Sequence, residues 1–250
     1  MRFKNKVVLI TGASRGLGKA MAEGFAEEGA KIIVSSRKLD ACKAVVGSIK
    51  ARGGDAIAID AHLGSTEKID SLLSKVYSEV SKVDILINNA GINLGMASLS
   101  DTTVAMFDKM ISVNLRGPWY LSSRIAPKMG DSGGGCIINI LSIAAMISPP
   151  NMGLYAATKA ALASLTEVMA QEWASLNIRV NALAPGSYRS EMTNSAIESI
   201  EGYEQSLIDA ALIPRIADSK EILSPIFYLA TEAYTTGITL VADGGVLAKR

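Results

Sequence analysis

The sequence predicts a doubly wound α/β domain built on one parallel sheet of about seven strands. Three observations predict it. Short apolar runs that read as buried strands alternate with longer helical patterns from one end of the chain to the other. A glycine-rich turn separates the first such run from the first helical pattern. No linker, repeat or low-complexity tract interrupts the alternation, so residues 1–250 read as one domain.

Composition narrows the function classes. The chain is 49% hydrophobic and 20% charged, with a net charge of +1. That is an ordinary globular profile, without the basic excess of a nucleic-acid surface or the acidic block of a tail. No apolar run reaches the ~18 residues of a membrane span, and no signal-like segment precedes the first strand. Cys42 and Cys136, the only cysteines, fall in different kinds of element, so free thiols and a cytoplasmic location are expected. The single histidine, His62, excludes a His-based triad and a multi-His metal site, and no metal is expected.

Residues 6–11 read as a buried strand. The turn Gly12-Ala13-Ser14-Arg15-Gly16-Leu17-Gly18 follows, then a helix over 19–28 closed by Gly29 and a second strand over 31–36. Strand, glycine turn, helix and strand in this order form the context of a phosphate-binding loop. Glycine permits close backbone approach, and a helix amino end offers free N–H groups to a pyrophosphate. The end of the second strand is where an adenosine ribose would lie. A carboxylate there holds a free 2′-hydroxyl; a cation accommodates a 2′-phosphate. The chain has Ser35-Ser36-Arg37-Lys38, with no carboxylate before Asp40. Arg37, together with Arg15, therefore points to NADP(H) rather than NAD(H), because a guanidinium fork matches a phosphate.

Helices are expected over 39–52 and 66–80, and strands over 56–60 and 83–88. The last strand runs into Asn88-Asn89-Ala90-Gly91, small residues that let a cofactor lie near the backbone. A helix over 103–125 contains Asn114, and Pro118 predicts a kink or an altered turn. Residues 131–135 read as a loop and 136–141 as the fifth strand, with Ser142 at its carboxyl end, where parallel sheets bind ligands. A loop over 144–152 leads to a helix over 154–176 whose apolar residues cover more than one face, which predicts a subunit contact. A sixth strand over 178–183 ends in Ala184-Pro185-Gly186. Residues 187–213 are polar and poorly periodic and read as a mobile substrate lid. A helix over 218–230 and a strand over 238–241 complete the alternation.

Tyr155 and Lys159 stand at i and i+4 near the start of the helix over 154–176, so both side chains can face one site. A nearby ammonium favours the phenolate. Bringing a tyrosine from its usual pKa of about 10 to ~7 takes about 4 kcal/mol. The pair is therefore read as a general acid/base tuned by a cation.

Four signatures now coincide: Thr11-Gly12-x-x-x-Gly16-x-Gly18, Asn88-Asn89-Ala90-Gly91, Ser142 followed by Tyr155-x-x-x-Lys159, and Pro185-Gly186. In this order and spacing they resemble the short-chain dehydrogenase/reductase family over essentially the whole chain, which implies a Rossmann sheet. The resemblance implies a catalytic tetrad of Asn114, Ser142, Tyr155 and Lys159. Tyr155 would exchange a proton with the substrate oxygen, which Ser142 would hydrogen-bond. Lys159 would lower the Tyr155 pKa and bind the nicotinamide ribose, and Asn114 would hold a water linking Lys159 to solvent. Cofactor contacts would fall on Gly12, Ser14, Arg15, Gly16, Leu17, Gly18, Ser36, Arg37, His62, Leu63, Asn89, Ala90, Gly91, Tyr155, Lys159, Pro185, Gly186, Tyr188 and Ser190. The chain departs from the family pattern in four places. Thr158 replaces the common Ser before the lysine, and Ser190 replaces a Thr. His62-Leu63 stands where many members have an Asp against adenine, so His62 either touches the adenine or is a surface-loop histidine. Tyr188 replaces a Val or Ile and would narrow the pocket near the nicotinamide.

The resulting expectation is an NADP(H)-dependent oxidoreductase that interconverts a small ketone or aldehyde with its alcohol. Candidate pocket residues are Asn93, Leu94, Ile143, Ala144, Met146, Pro149, Tyr188 and Met192, mostly apolar, which favours a hydrophobic carbonyl compound over a sugar acid. A 3-oxoacyl-carrier-protein reductase shares all the motifs, but Gly130–Cys136 and Gln171 lack the basic residues an acidic carrier would meet. A non-catalytic NADP-binding regulatory protein is the third reading; such proteins usually lose a tetrad residue, and here all four are present. The resemblance also implies a homotetramer.

Overall fold

The computed structural model describes residues 1–249. Seven strands, β1 (Val7–Thr11), β2 (Lys31–Ser36), β3 (Asp55–Asp60), β4 (Ile85–Asn88), β5 (Gly135–Ile140), β6 (Ile178–Pro185) and β7 (Thr239–Ala242), form one sheet. Its order is β3-β2-β1-β4-β5-β6-β7, and every pairing is parallel. The chain winds outward from β1 to β3, then crosses back to β4 on the other side of β1. The carboxyl ends of β1 and β4 therefore flank a crevice, the usual ligand position of such sheets. Strands this apolar require cover on both faces. Helices α1 (Gly16–Glu27) and α2 (Leu39–Ala51) cover one face. Helices α3 (Thr66–Glu79) and, after α4 (Val104–Ile111), α5 (Gly117–Asp131) cover the other. Beyond β5 come the single-turn α6 (Ala144–Ile147) and the long α7 (Gly153–Glu172), which also packs on the second face. The pair α8 (Glu191–Ser199) and α9 (Tyr203–Ala210) precedes α10 (Leu223–Thr231), which packs on the first face with α1.

Three stretches differ from the sequence expectation. The helix expected over 103–125 is two helices joined by a π turn, Ser112–Arg116, that carries Asn114. Pro118 follows this turn within one unbroken helical run and supplies no N–H to the i→i−4 ladder, so the altered turn expected at the proline takes the form of this π turn. Helix α5 also runs on to Asp131, and the chain turns only at Gly133 and Gly134, both at positive φ. The loop expected over 144–152 contains the single turn α6. The segment expected as an irregular lid, 187–213, is largely helical. Ser190 caps α8 by accepting from the Thr193 N–H (3.2 Å), so local capping supplies order that apolar periodicity does not reveal.

Candidate active site

The crevice begins at the turn between β1 and α1. Gly18 packs so closely that a β-carbon on it would lie 2.3 Å from the Gly12 carbonyl and 2.5 Å from Asn89 Nδ2. Only glycine fits there. Asn89 Nδ2 donates to the carbonyls of Thr11 (2.9 Å) and Gly12 (3.1 Å), while the Thr11 hydroxyl accepts the N–H groups of Asn89 (3.1 Å) and Ala90 (3.0 Å). The asparagine thus locks the glycine turn to the end of β4. The bridging part of Thr11 is a function that sequence reasoning missed, although the residue opens the motif. The Ala13 N–H adds a bond to the Ser35 carbonyl (3.1 Å), fixing the turn to β2 as well.

Helix α1 starts without a capping side chain and without an acidic residue in its first turn. Its amino end therefore offers the N–H groups of the glycine turn, around Gly16 and Leu17, and a partial positive charge to an anion. Arg15 and Arg37 are exposed, and neither forms an ion pair among the described residues. Ser14 is partly exposed beside Arg15. Ser36 is engaged by Cys42, whose thiol donates to its hydroxyl (3.2 Å). His62 is exposed, and its Nδ1 accepts the Gly64 N–H (3.0 Å), a turn bond that leaves only the other ring nitrogen open. Leu63 is buried in the core, so only its backbone borders the crevice.

The residues expected to carry the chemistry lie at the carboxyl end of β5 and the first turns of α7. Lys159 is 4% exposed, and its ammonium donates to the Ile140 carbonyl (2.8 Å). It stands 5.8 Å from the centre of the Tyr155 ring. Ser142 Oγ accepts the Ala144 N–H (3.1 Å), which fixes the oxygen and leaves its own proton free to donate. Asn114 is fully buried, its amide gripping the Ile92 backbone at both ends (2.8 Å each) and donating to Thr158 Oγ1 (3.3 Å). Thr158 in turn donates to the Tyr155 carbonyl (2.7 Å). Asn114 therefore ties the π turn, the loop after β4 and the helix bearing Tyr155 together. Its side chain is committed to backbone and to Thr158. Gly91 lies against Lys159 and Asn114 from the β4 side, and Gly186, after Pro185, donates to the Ala242 carbonyl (2.9 Å).

Electrostatics differ from the tuned-tyrosine expectation in one respect. Burial lowers the Lys159 ammonium to about 8. Burial raises the Tyr155 phenol to about 12, opposed by a hydrogen bond from Ser142. In this form of the protein the desolvation of the phenol outweighs the pull of its neighbours. At neutral pH both groups hold their protons.

A buried polar chain behind the site was not foreseen. Asn88 Nδ2 donates to Ser122 Oγ and to Asn139 Oδ1 (2.8 Å each), Asn139 Nδ2 donates to Thr166 Oγ1 (2.9 Å), and Thr166 Oγ1 donates to the Leu162 carbonyl (2.8 Å). It fastens β4, β5, α5 and α7 to one another. The signal was Asn139, a lone amide within the apolar run of β5.

Tyr188 turns its ring inward. Its ring is buried against the α10 side of the core and lines a cavity of about 570 Å³ beside β7, with Arg215, Glu221, Tyr228 and Asp243. Backbone pairing with Ala217 turns it that way. Met146 and Met192 are exposed, Asn93, Leu94, Ile143 and Pro149 half-buried, and Ala144 buried. No group of three or more His, Cys, Asp or Glu residues suited to a metal occurs among the described residues.

Comparison with known proteins places these features in a wider set. The family model described as short chain dehydrogenase matches residues 6–201. The chain is 35% identical over 248 residues to a 3-oxoacyl-[acyl-carrier-protein] reductase, FabG, of Staphylococcus epidermidis, covering 97% of this chain and 99% of that relative. It is 35% identical over 246 residues to dehydrogenase/reductase SDR family member 4 of Bos taurus, covering 98% and 88%. The solved structure of a gluconate 5-dehydrogenase from Burkholderia cenocepacia, in complex with NADP and tartrate, superposes with a TM-score of 0.93 at 30% identity, over 99% of this chain and 98% of that one.

Proposed function

The chain belongs to the short-chain dehydrogenase family, oxidoreductases that use a nicotinamide cofactor on CH–OH or ketone groups, and from that premise we propose that it reduces a small hydrophobic ketone or aldehyde with NADPH, reversibly. The observation that supports this best is the buried Lys159 ammonium, hydrogen-bonded to Ile140 beneath Tyr155 and Ser142. The residues present fit a dinucleotide: a glycine turn locked by Asn89, an uncapped helix end, and Arg15 and Arg37 exposed where a 2′-phosphate would lie. When bound, reduced nicotinamide supplies a hydride to the carbonyl carbon. Ser142 donates a hydrogen bond to the carbonyl oxygen and orients it. Tyr155 gives its phenolic proton to that oxygen as the alcohol forms. Lys159 stabilises the phenolate left behind, and solvent restores the proton.

A side-by-side fluorescence titration tests the cofactor preference. NADPH is expected to bind at least about tenfold more tightly than NADH, as a charge-assisted phosphate contact implies. Equal or stronger NADH binding would reassign Arg15 and Arg37 as solvated surface charges. A substrate screen tests the rest: turnover confined to polyols or to acyl-carrier substrates would reject the hydrophobic carbonyl. Acyl-carrier reduction is the second reading, favoured by the Staphylococcus epidermidis relative.

The assembly we propose is a homotetramer in the cytoplasm. Val104, Phe107, Trp119 and Val168 are exposed on α4, α5 and α7, and Tyr228 and Ile238 beside the cavity at β7. Two separate apolar faces suit two dyads. No helix among the described residues is long and apolar enough to cross a membrane. A monomeric sedimentation profile at micromolar concentration would overturn the tetramer.

A further inference from the structure

The first residue of α8 reaches back to the glycine turn. A β-carbon placed on Gly16 would lie 3.1 Å from Glu191 Oε2 and 3.3 Å from Ser190 Cβ. The glutamate carboxylate thus stands over the first residue of α1, the helix that starts with neither a capping side chain nor an acid of its own. A carboxylate at a helix amino end is favourably placed. Its position is held from behind. The Arg189 N–H donates to the Ala217 carbonyl (2.8 Å), the Ala217 N–H donates to the Ser187 carbonyl (3.0 Å), and Ser190 caps α8. The Arg189 side chain also pairs with Glu204 on α9. The segment 187–213 is thereby anchored with one acid aimed at the amino end of α1. That end is also where the proposed dinucleotide would place its pyrophosphate.

We propose that Glu191 is an electrostatic gate: its carboxylate holds the lid over the amino end of α1 and is displaced when the phosphates of a dinucleotide take that place. The inference rests on the nucleotide-binding reading above. Two anions cannot share one helix end, so lid position and cofactor binding oppose each other through this residue. Glu191 then weakens cofactor affinity and speeds its release, which favours turnover where release is slow.

The test is equilibrium binding of NADPH and NADH to Glu191→Gln and wild type, followed by cofactor fluorescence, with adenosine 2′-monophosphate as a probe that lacks the pyrophosphate. Glu191→Gln is expected to tighten both dinucleotides by roughly threefold to tenfold, the gain shrinking in high salt. The adenosine fragment should bind both proteins equally. Glu198→Gln, which removes an exposed acid from the same helix, should leave all affinities unchanged. Equal dinucleotide affinity for Glu191→Gln and wild type, weaker binding by the variant, or the same gain on the fragment would each overturn the gate. Failure of wild type to bind either dinucleotide would overturn the nucleotide reading and the gate with it.

Discussion

Helix α7 and the pair α8 and α9 are built on opposite terms. Helix α7 buries eight residues, two of them threonines and one the Lys159 side chain, and every polar atom of that set has a partner. Helices α8 and α9 bury none, and their fastenings are a cap, a two-bond backbone clasp and one ion pair in water. Under the proposed function, the difference follows from what each must do. Moving a proton at a fixed atom needs an environment whose dielectric and hydrogen bonds do not fluctuate. Admitting and releasing a cofactor needs a surface whose contacts break cheaply. The burial that fixes α7 also perturbs its titration. The Arg189 and Glu204 side chains are nearly half exposed, and Glu191 is exposed.

The sharpest way to break this comparison is Tyr155→Phe. It removes one hydroxyl from the rigid region and nothing from the lid. Turnover should fall about 10³-fold or more, the reach of a general acid, with NADPH affinity within about twofold of wild type. Single-turnover kinetics beside a binding titration checks both. Survival of turnover would assign the proton transfer to another group.

Lys159 sharpens the same point through pH. Its pKa drops from 10.5 to about 8 because the charged form is desolvated. The folded protein therefore sheds this proton near pH 8 while the unfolded chain keeps it to about 10.5, and stability rises with pH across that window. The penalty carried below pH 8 is roughly 3 kcal/mol before the Ile140 hydrogen bond offsets part of it. Lys159→Met should lower kcat about 100-fold yet raise Tm at pH 7 by a few degrees. The Tm advantage should shrink as pH rises from 8 to 10. A variant less stable than wild type at pH 7 would mean that the ammonium is better solvated than its burial implies. Tyr155 acts in the opposite sense on rate. A phenol held near 12 is fully protonated for carbonyl reduction at neutral pH, whereas alcohol oxidation needs the phenolate and should accelerate with pH. Initial rates in both directions over pH 6–10 would check this.

What could be read in advance follows the same division. The sheet was legible because buried parallel strands are continuous apolar runs such as Val7–Thr11 and Ile85–Asn88. Tyr155 and Lys159 were legible because helical spacing alone brings them to one face. An altered turn in the Asn114 helix was legible from Pro118, but the grip of Asn114 on Ile92 was not, since it is a long-range contact. Neither was the phenol's upward shift, which comes from burial and not from spacing. The lid reads poorly because its helices rest on caps and clasps. The direction of the Tyr188 ring could not be read because pairing with Ala217, invisible in sequence, sets it.

The buried polar chain behind the site offers a smaller effect. Asn139→Leu keeps the volume but leaves Asn88, whose Oδ1 already lacks a partner, with one bond fewer. Thr166 keeps its bond to Leu162. The cost should be about 1–3 kcal/mol, lowering Tm by roughly 3–10 °C. Because α7 would shift against β5, kcat should fall more than KM rises. A neutral Tm would make the chain a bystander in positioning.

The smallest effect is expected in the lid. Arg189→Gln cuts the ion pair with Glu204, and both side chains are nearly half exposed. Such a pair is worth under about 1 kcal/mol, so Tm should move by no more than about 2 °C. The backbone clasp between residues 187–189 and Ala217 would survive, since it uses no side chain. What changes is how firmly α9 follows α8. KM for the carbonyl substrate should shift about twofold to fivefold while kcat stays within about twofold, because the groups proposed to move the proton stand on α7. A large fall in kcat would instead tie the lid to the chemical step, and the division between a fixed half and a yielding half would have to be redrawn at α8.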